Sequence, residues 1–142
     1  MKTIVIASFA GGVGKTTTAH SLATALSEYG KKTLLIDADP NSTLTFLCGV
    51  ENPRFTLLEV LKGSSLQTSV VSTGERFSLL PGSARLNEIS TFTSLPESKD
   101  FDLSIVDTAS SLNTLAVSLI EAADLIVVPV SDSISSIRAA LH

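Results

Sequence analysis

Residues 11–17 read Gly11-Gly12-Val13-Gly14-Lys15-Thr16-Thr17 and follow the apolar run Ile4-Val5-Ile6-Ala7. These residue types are suited to a phosphate chain. Glycines let the backbone curl so that successive N–H groups face inward as an anion cradle. A helix beginning near Lys15 aims its positive end at the same place. Lys15 has the reach for β- and γ-phosphates, and the Thr16 hydroxyl is a ligand for Mg²⁺. The segment predicts binding of a nucleoside triphosphate with magnesium.

Three carboxylates fall where such a ligand needs them. Asp37 and Asp39 stand in Asp37-Ala38-Asp39-Pro40, after the apolar segment Leu34-Leu35-Ile36. A spacing of two puts both side chains on one side of an extended segment. Asp107 ends the run Leu103-Ser104-Ile105-Val106, a strand closed by one acid, which is the arrangement that supports a Mg²⁺ shell. In open parallel sheets, ligands sit at the carboxyl ends of strands. A strand-terminal Asp is otherwise a turn former or helix cap, and Asp124 and Asp132 are read that way. His20 is expected on the surface. Cys48 is expected to be a small buried hydrophobe. No Ser/His/Asp or Cys/His constellation is visible.

The elements that must hold these groups follow from periodicity. Thr3–Ser8 predicts a strand buried on both faces. Ala19, Leu22, Ala23 and Leu26 form one stripe of a helix over 16–29, closed by Gly30. Residues 33–36 predict a second strand. Short helices are expected over 41–48 and 56–61, with a loop over 63–67. Strands are expected over 69–73 and 77–80, then a Pro81-Gly82 turn and helix over 84–93. Residues 91–99 form the expected mobile loop. A strand over 103–106, a helix over 112–123, a strong strand over 125–130 and a helix over 131–141, capped by Ser131 or Asp132, complete the pattern. Strand–helix alternation predicts an α/β fold with a doubly wound, mostly parallel sheet and helices on both faces.

Composition sets outer bounds. A chain of 142 residues, 44% hydrophobic and 17% charged, suits one domain with one well-buried core. Its formal charge of −4 supplies no electrostatic reason to bind nucleic acid. One cysteine excludes an intramolecular disulfide and a four-cysteine metal site. Residues 1–10 have a superficial signal-peptide pattern, but the apolar stretch is short and runs into the phosphate loop. No segment approaches the roughly 20 apolar residues of a membrane span. A cytoplasmic protein is expected.

The phosphate loop, Asp37-Ala38-Asp39-Pro40 and the Asp107 strand occur in the order seen in the ParA/MinD family of ATPases. Gly11 to Thr17 resembles that family's variant phosphate loop, Lys-Gly-Gly-x-Gly-Lys-Thr-Thr. The run from Gly30 to Asn41, then Asp107-Thr108 and the stretch from Ala122 to Val130, resemble its ParA branch. The resemblance implies a P-loop NTPase fold over residues 1–142, with Lys15 on the β/γ-phosphates and Thr17 on the α-phosphate. It further implies Mg²⁺ held by Thr16 with Asp37 and Asp107 acting through water, and Asp39 positioning the attacking water. The implied function is slow, partner-stimulated ATP hydrolysis coupled to ATP-dependent homodimerisation. It would move or space a plasmid, a chromosome region or a protein compartment such as the carboxysome. Implied partners are a ParB-like or adaptor protein and non-specific DNA, with nucleoid association if that DNA binding is retained; no membrane partner is expected.

Two features depart from that pattern. Position 10, where the family carries its first lysine, is Ala10, and Phe9 stands where a general P-loop has glycine. Removing that lysine takes away charge-assisted contacts to the transferring phosphate. Family members also usually run longer, so a chain shortened at its carboxyl end is expected. Both departures keep alive an alternative, a nucleotide-binding dimerisation module without effective turnover.

Overall fold

The computed structural model describes all 142 residues. Six strands, β1 (Lys2–Ile6), β2 (Thr33–Ala38), β3 (Val71–Ser72), β4 (Ser78–Leu80), β5 (Leu103–Thr108) and β6 (Leu125–Val127), form one sheet. Their order is β3-β4-β2-β5-β1-β6, and every pairing is parallel except β3 with β4. Helices are α1 (Lys15–Glu28), α2 (Thr43–Leu47), α3 (Leu57–Leu61), α4 (Leu66–Ser69), α5 (Thr114–Ala122) and α6 (Ile134–Ala140), with a 3₁₀ helix over Ala84–Glu88.

Alternation along the strands divides the core in two. Val5, Leu34, Ile36 and Val106 face α3, α5 and the 3₁₀ helix through Leu57, Leu58, Leu115, Leu119 and Leu86. Ile6, Leu35 and Ile105 face the other way, onto Ala19 and Ala23 of α1 and Leu44 of α2. From β1 the chain steps past β5 to reach β2, with α1 on one face. From β5 it steps past β1 to reach β6, with α5 on the opposite face. Right-handed crossovers running in opposite directions require helices on opposite faces. This is the doubly wound, mostly parallel sheet that the alternation predicted.

Several boundaries differ from expectation, each for a local reason. Residues 63–73 hold a single helical turn, α4, so the strand expected over 69–73 shrinks to Val71–Ser72. The helix expected over 84–93 ends at Glu88 as a 3₁₀ segment capped by Ser83. Beyond it, Ser90, Thr91, Thr93 and Ser94 are residue types of low helix preference. The strand expected over 125–130 stops at Val127, two residues before Pro129, and is an edge strand. It is also more open than its apolar run suggested, with Leu125 54% and Ile126 42% exposed. The last helix begins at Ile134 with Ser133 as its cap, in place of Ser131 or Asp132. Asp124 caps nothing; its carboxylate accepts from Lys2 Nζ at 2.9 Å and Thr3 N at 2.8 Å, tying β1 to the start of β6. His20 is half-buried, edge-on to Phe77 at 5.5 Å.

α3 shows a strong local start signal. Thr56 and Glu59 make a reciprocal capping box, with Leu58 N donating to Thr56 Oγ1 and Thr56 N to Glu59 Oε2. Cys48, at the carboxyl cap of α2, is half-buried, and burial pushes its thiol up to about 11.

Candidate functional site

The phosphate loop connects β1 to α1. Gly12 (φ 70°) and Gly14 (φ 87°) adopt left-handed backbone that other residues rarely take. Gly14 is the amino-terminal cap of α1 and brings no side chain to satisfy the first turn. Its carbonyl accepts from Thr18 N at 2.8 Å, so the first intrahelical bond begins there. The N–H groups of Lys15, Thr16 and Thr17 have no intrahelical acceptor. The first turn also carries no acidic residue. A 14-residue helix with an uncapped, positively polarised end therefore opens onto the loop.

A polar cavity of about 270 Å³ sits at this end, lined by Gly12, Gly14, Lys15, Thr16, Thr17, Asp39 and Ser110. No hydrophobic residue lines it. Lys15 is buried, and its ammonium donates to the Ala10 carbonyl at 3.1 Å and to Ser110 Oγ at 2.7 Å. Burial pushes its pKa down, while the nearby Asp107 and Asp39 charges push it back up.

Asp107 and Asp37 are directly opposite each other in the β5–β2 register. Asp107 is 1% exposed. Its Oδ2 accepts from Thr16 Oγ1 at 2.6 Å. Its Oδ1 is buried with no hydrogen-bond partner. Burial raises its pKa to about 7, opposed by the Thr16 bond, with the Asp37 and Asp39 charges adding to the rise. An orphaned carboxylate oxygen beside a threonine hydroxyl fits a cation's hydration shell. No three His, Cys, Asp or Glu side chains gather closely enough to cage a metal by themselves. Mg²⁺ is usually held by one or two protein groups together with phosphates and water.

The two acids of Asp37-Ala38-Asp39 diverge. Asp37 is fully buried. Its Oδ2 accepts from Thr45 N at 2.8 Å and Thr45 Oγ1 at 2.6 Å, and its Oδ1 from Asp39 N at 3.2 Å. Burial raises its pKa, and those hydrogen bonds oppose the rise. Gly82 N donates to Thr45 Oγ1 at 2.8 Å. A Cβ on Gly82 would stand 2.8 Å from Asp37 Cγ, so only glycine fits there. Asp39 lies just beyond β2, half-buried, and is the acid of this pair that lines the phosphate cavity. One of its oxygens accepts from Asn41 N at 2.9 Å, and no protein donor engages the other.

The sheet thus brings Lys15, Thr16, Asp39 and Asp107 together at the carboxyl ends of β1, β2 and β5. Gly11 and Val13 complete the loop without lining the cavity, and Asp37 stands behind the site. Ser110 was not legible in the sequence. A serine after a strand has no signature of its own, and its partner lies 95 residues away.

A family described as "AAA domain" matches residues 1–140. Maintenance of carboxysome distribution protein A of Synechococcus elongatus is 32% identical over the whole chain, which spans 63% of that protein. The chromosome-partitioning ATPase Soj of Thermus thermophilus is 36% identical over 92% of the chain and 55% of its own length. Among solved structures, an ATP complex of a Cyanothece McdA variant superposes with a TM-score of 0.85 at 33% identity, covering 98% of this chain and 60% of that one. The chain therefore spans about six-tenths of the length of such relatives.

Proposed function

The chain belongs to the ParA/MinD family of ATPases, and from that premise we propose that it is a ParA-like positioning ATPase. Its cycle couples ATP binding, homodimerisation and slow hydrolysis to the partition or spacing of a plasmid, a chromosome region or a protein compartment such as the carboxysome. The observation that carries this reading is the convergence of Lys15, Thr16, Asp39 and Asp107 beneath the uncapped start of α1.

In this reading, the N–H groups of the Gly11–Thr17 loop hold the phosphate oxygens, with Thr17 on the α-phosphate. Lys15 leaves Ala10 and Ser110 to neutralise charge on the β- and γ-phosphates. Thr16 and Asp107 hold the magnesium shell, and Asp37 supports it from behind as a second negative charge. Magnesium, when bound, polarises the β- and γ-oxygens and offsets the charge that develops there. The unpaired oxygen of Asp39 orients the water that attacks the terminal phosphate, yielding ADP and inorganic phosphate. Residues 1–142 act as one ATPase unit, working in the cytoplasm. Non-specific DNA binding and stimulation by a ParB-like or adaptor protein enter through family membership; the formal charge of −4 offers no separate support for DNA.

Ala10 favours a second reading, a module that binds nucleotide and dimerises without effective turnover, because no lysine stands there to reach a partner's phosphates. Asp39→Ala separates the two. The variant is expected to keep nucleotide affinity and lose steady-state phosphate release; turnover equal to the parent would remove Asp39 from the hydrolytic role. Lys15→Ala, measured alongside, is expected to lose nucleotide binding altogether.

A further inference from the structure

We propose that Thr45 is a positioning residue for hydrolysis: through the Asp37 carboxylate it fixes the turn that carries Asp39 into the phosphate cavity. The proposal rests on the reading of Asp39 as the acid that orients the attacking water, and it gives Asp37 a second task beside its charge.

The side chain of Asp39 is half-buried and accepts one bond, from Asn41 N at 2.9 Å. Its place therefore follows its backbone. The Asp39 N–H donates to Asp37 Oδ1 at 3.2 Å, which closes the turn as the chain leaves β2. The orientation of the Asp37 carboxylate is set in turn by Thr45, which donates to Oδ2 from its N–H at 2.8 Å and from its hydroxyl at 2.6 Å. Ser42, the amino-terminal cap of α2, makes no side-chain cap bond. Asp37 thus supplies, from β2, the acceptor that the third N–H of α2 would otherwise lack.

The Thr45 hydroxyl has one orientation that satisfies both neighbours. Gly82 N, 2.8 Å away, can only donate, so Thr45 Oγ1 accepts from it and gives its single hydrogen to Asp37. Thr45 is buried. It lines neither the phosphate cavity nor the adjoining cleft of about 350 Å³ that Asp39 shares with Pro40, Asn41 and Asn87. Its hydroxyl bonds to Asp37 and Gly82, so its route to the site runs through Asp37. Hydroxyl, carboxylate and amide form a relay from the Pro81-Gly82 turn to the acid in the cavity.

The test compares the parent, Thr45→Val and Thr45→Ser in the full chain. Steady-state kcat and KM with Mg²⁺ and ATP are read beside calorimetric titration with Mg²⁺ and a non-hydrolysable ATP analogue, whose stoichiometry counts folded sites. Displacing a reacting group slightly is costly in rate, so Thr45→Val is expected to lose about tenfold or more in kcat per site, with analogue affinity within about twofold of the parent. Thr45→Ser, which keeps the hydroxyl, should recover most of the loss. Amide exchange followed by NMR needs no turnover: the Asp39 amide should be protected in the parent and in Thr45→Ser, and lose protection in Thr45→Val. Unchanged kcat per site in Thr45→Val would overturn the proposal, as would a Thr45→Ser variant as slow as Thr45→Val. Matching losses of kcat and analogue affinity would reduce Thr45 to general support of the site and overturn it too. An unprotected Asp39 amide in the parent would do so even if Thr45→Val failed to fold. Asp39→Ala with the parent's turnover, or a parent with none, would instead sink the reading of Asp39 on which the proposal stands.

Discussion

Asp107 is held in a state that water would not favour. Its carboxyl is 1% exposed, one oxygen has no partner, and its pKa is raised to about 7. In the unfolded chain it titrates near 3.8. Between those values the folded state binds the extra proton, so folding stability falls as pH rises from about 4 through about 7. A shift of that size corresponds to at most about 4 kcal/mol, and Asp37, raised in the same direction, adds to it. Without Mg²⁺ or nucleotide, the thermal midpoint is therefore expected to be higher at pH 5 than at pH 8, and Asp107→Asn should flatten the difference. A parent midpoint independent of pH would mean that Asp107 is not buried as described. Much of this residue-scale chemistry was legible. Gly14-Lys15-Thr16 and a strand ending in Asp107 announce themselves by type and order. The divergence of Asp37 from Asp39 did not, because strand alternation holds only while the chain stays extended, and here it turns immediately after β2.

At the scale of elements, the Asp37–Thr45–Gly82 contact fastens α2 and the Pro81-Gly82 turn to the end of β2. Thr45→Val would remove the shared hydroxyl and leave both Gly82 N and part of the Asp37 charge unsatisfied in a buried place. The expected cost is about 1–3 kcal/mol, read as a lower urea midpoint with an unchanged slope. Thr45→Ser should recover most of it, and a Thr45→Val midpoint equal to the parent's would show that the contact contributes little. No local pattern pointed to this fastening. Its three residues belong to different elements, and Thr45 by itself reads as an ordinary helix residue. The longer elements were legible because their apolar spacing is redundant. α4 and the 3₁₀ helix were not, since one turn of helix contains too few residues to establish a period. β6 misled for another reason. Its run Leu125-Ile126-Val127 has the composition of a central strand, but edge position depends on which strands flank it.

For the whole molecule, the proposed cycle turns on mass. Light scattering with and without ATP and Mg²⁺ is expected to show a doubling with ATP alone. A mass unchanged by ATP would favour either the need for a lysine at position 10 or an interface outside these residues. A dimer in both conditions would point to an interface independent of nucleotide. Strand order was beyond the sequence, because pairings such as Ile4 with Ile105 join segments a hundred residues apart. The molecule also carries one thiol, Cys48, at the end of α2 beside the fastened segment. With its pKa near 11 it is almost wholly protonated at neutral pH. Half-buried and this protonated, it reacts slowly in the folded chain, and any motion that frees it to solvent would raise its single-site labelling rate without any engineered probe.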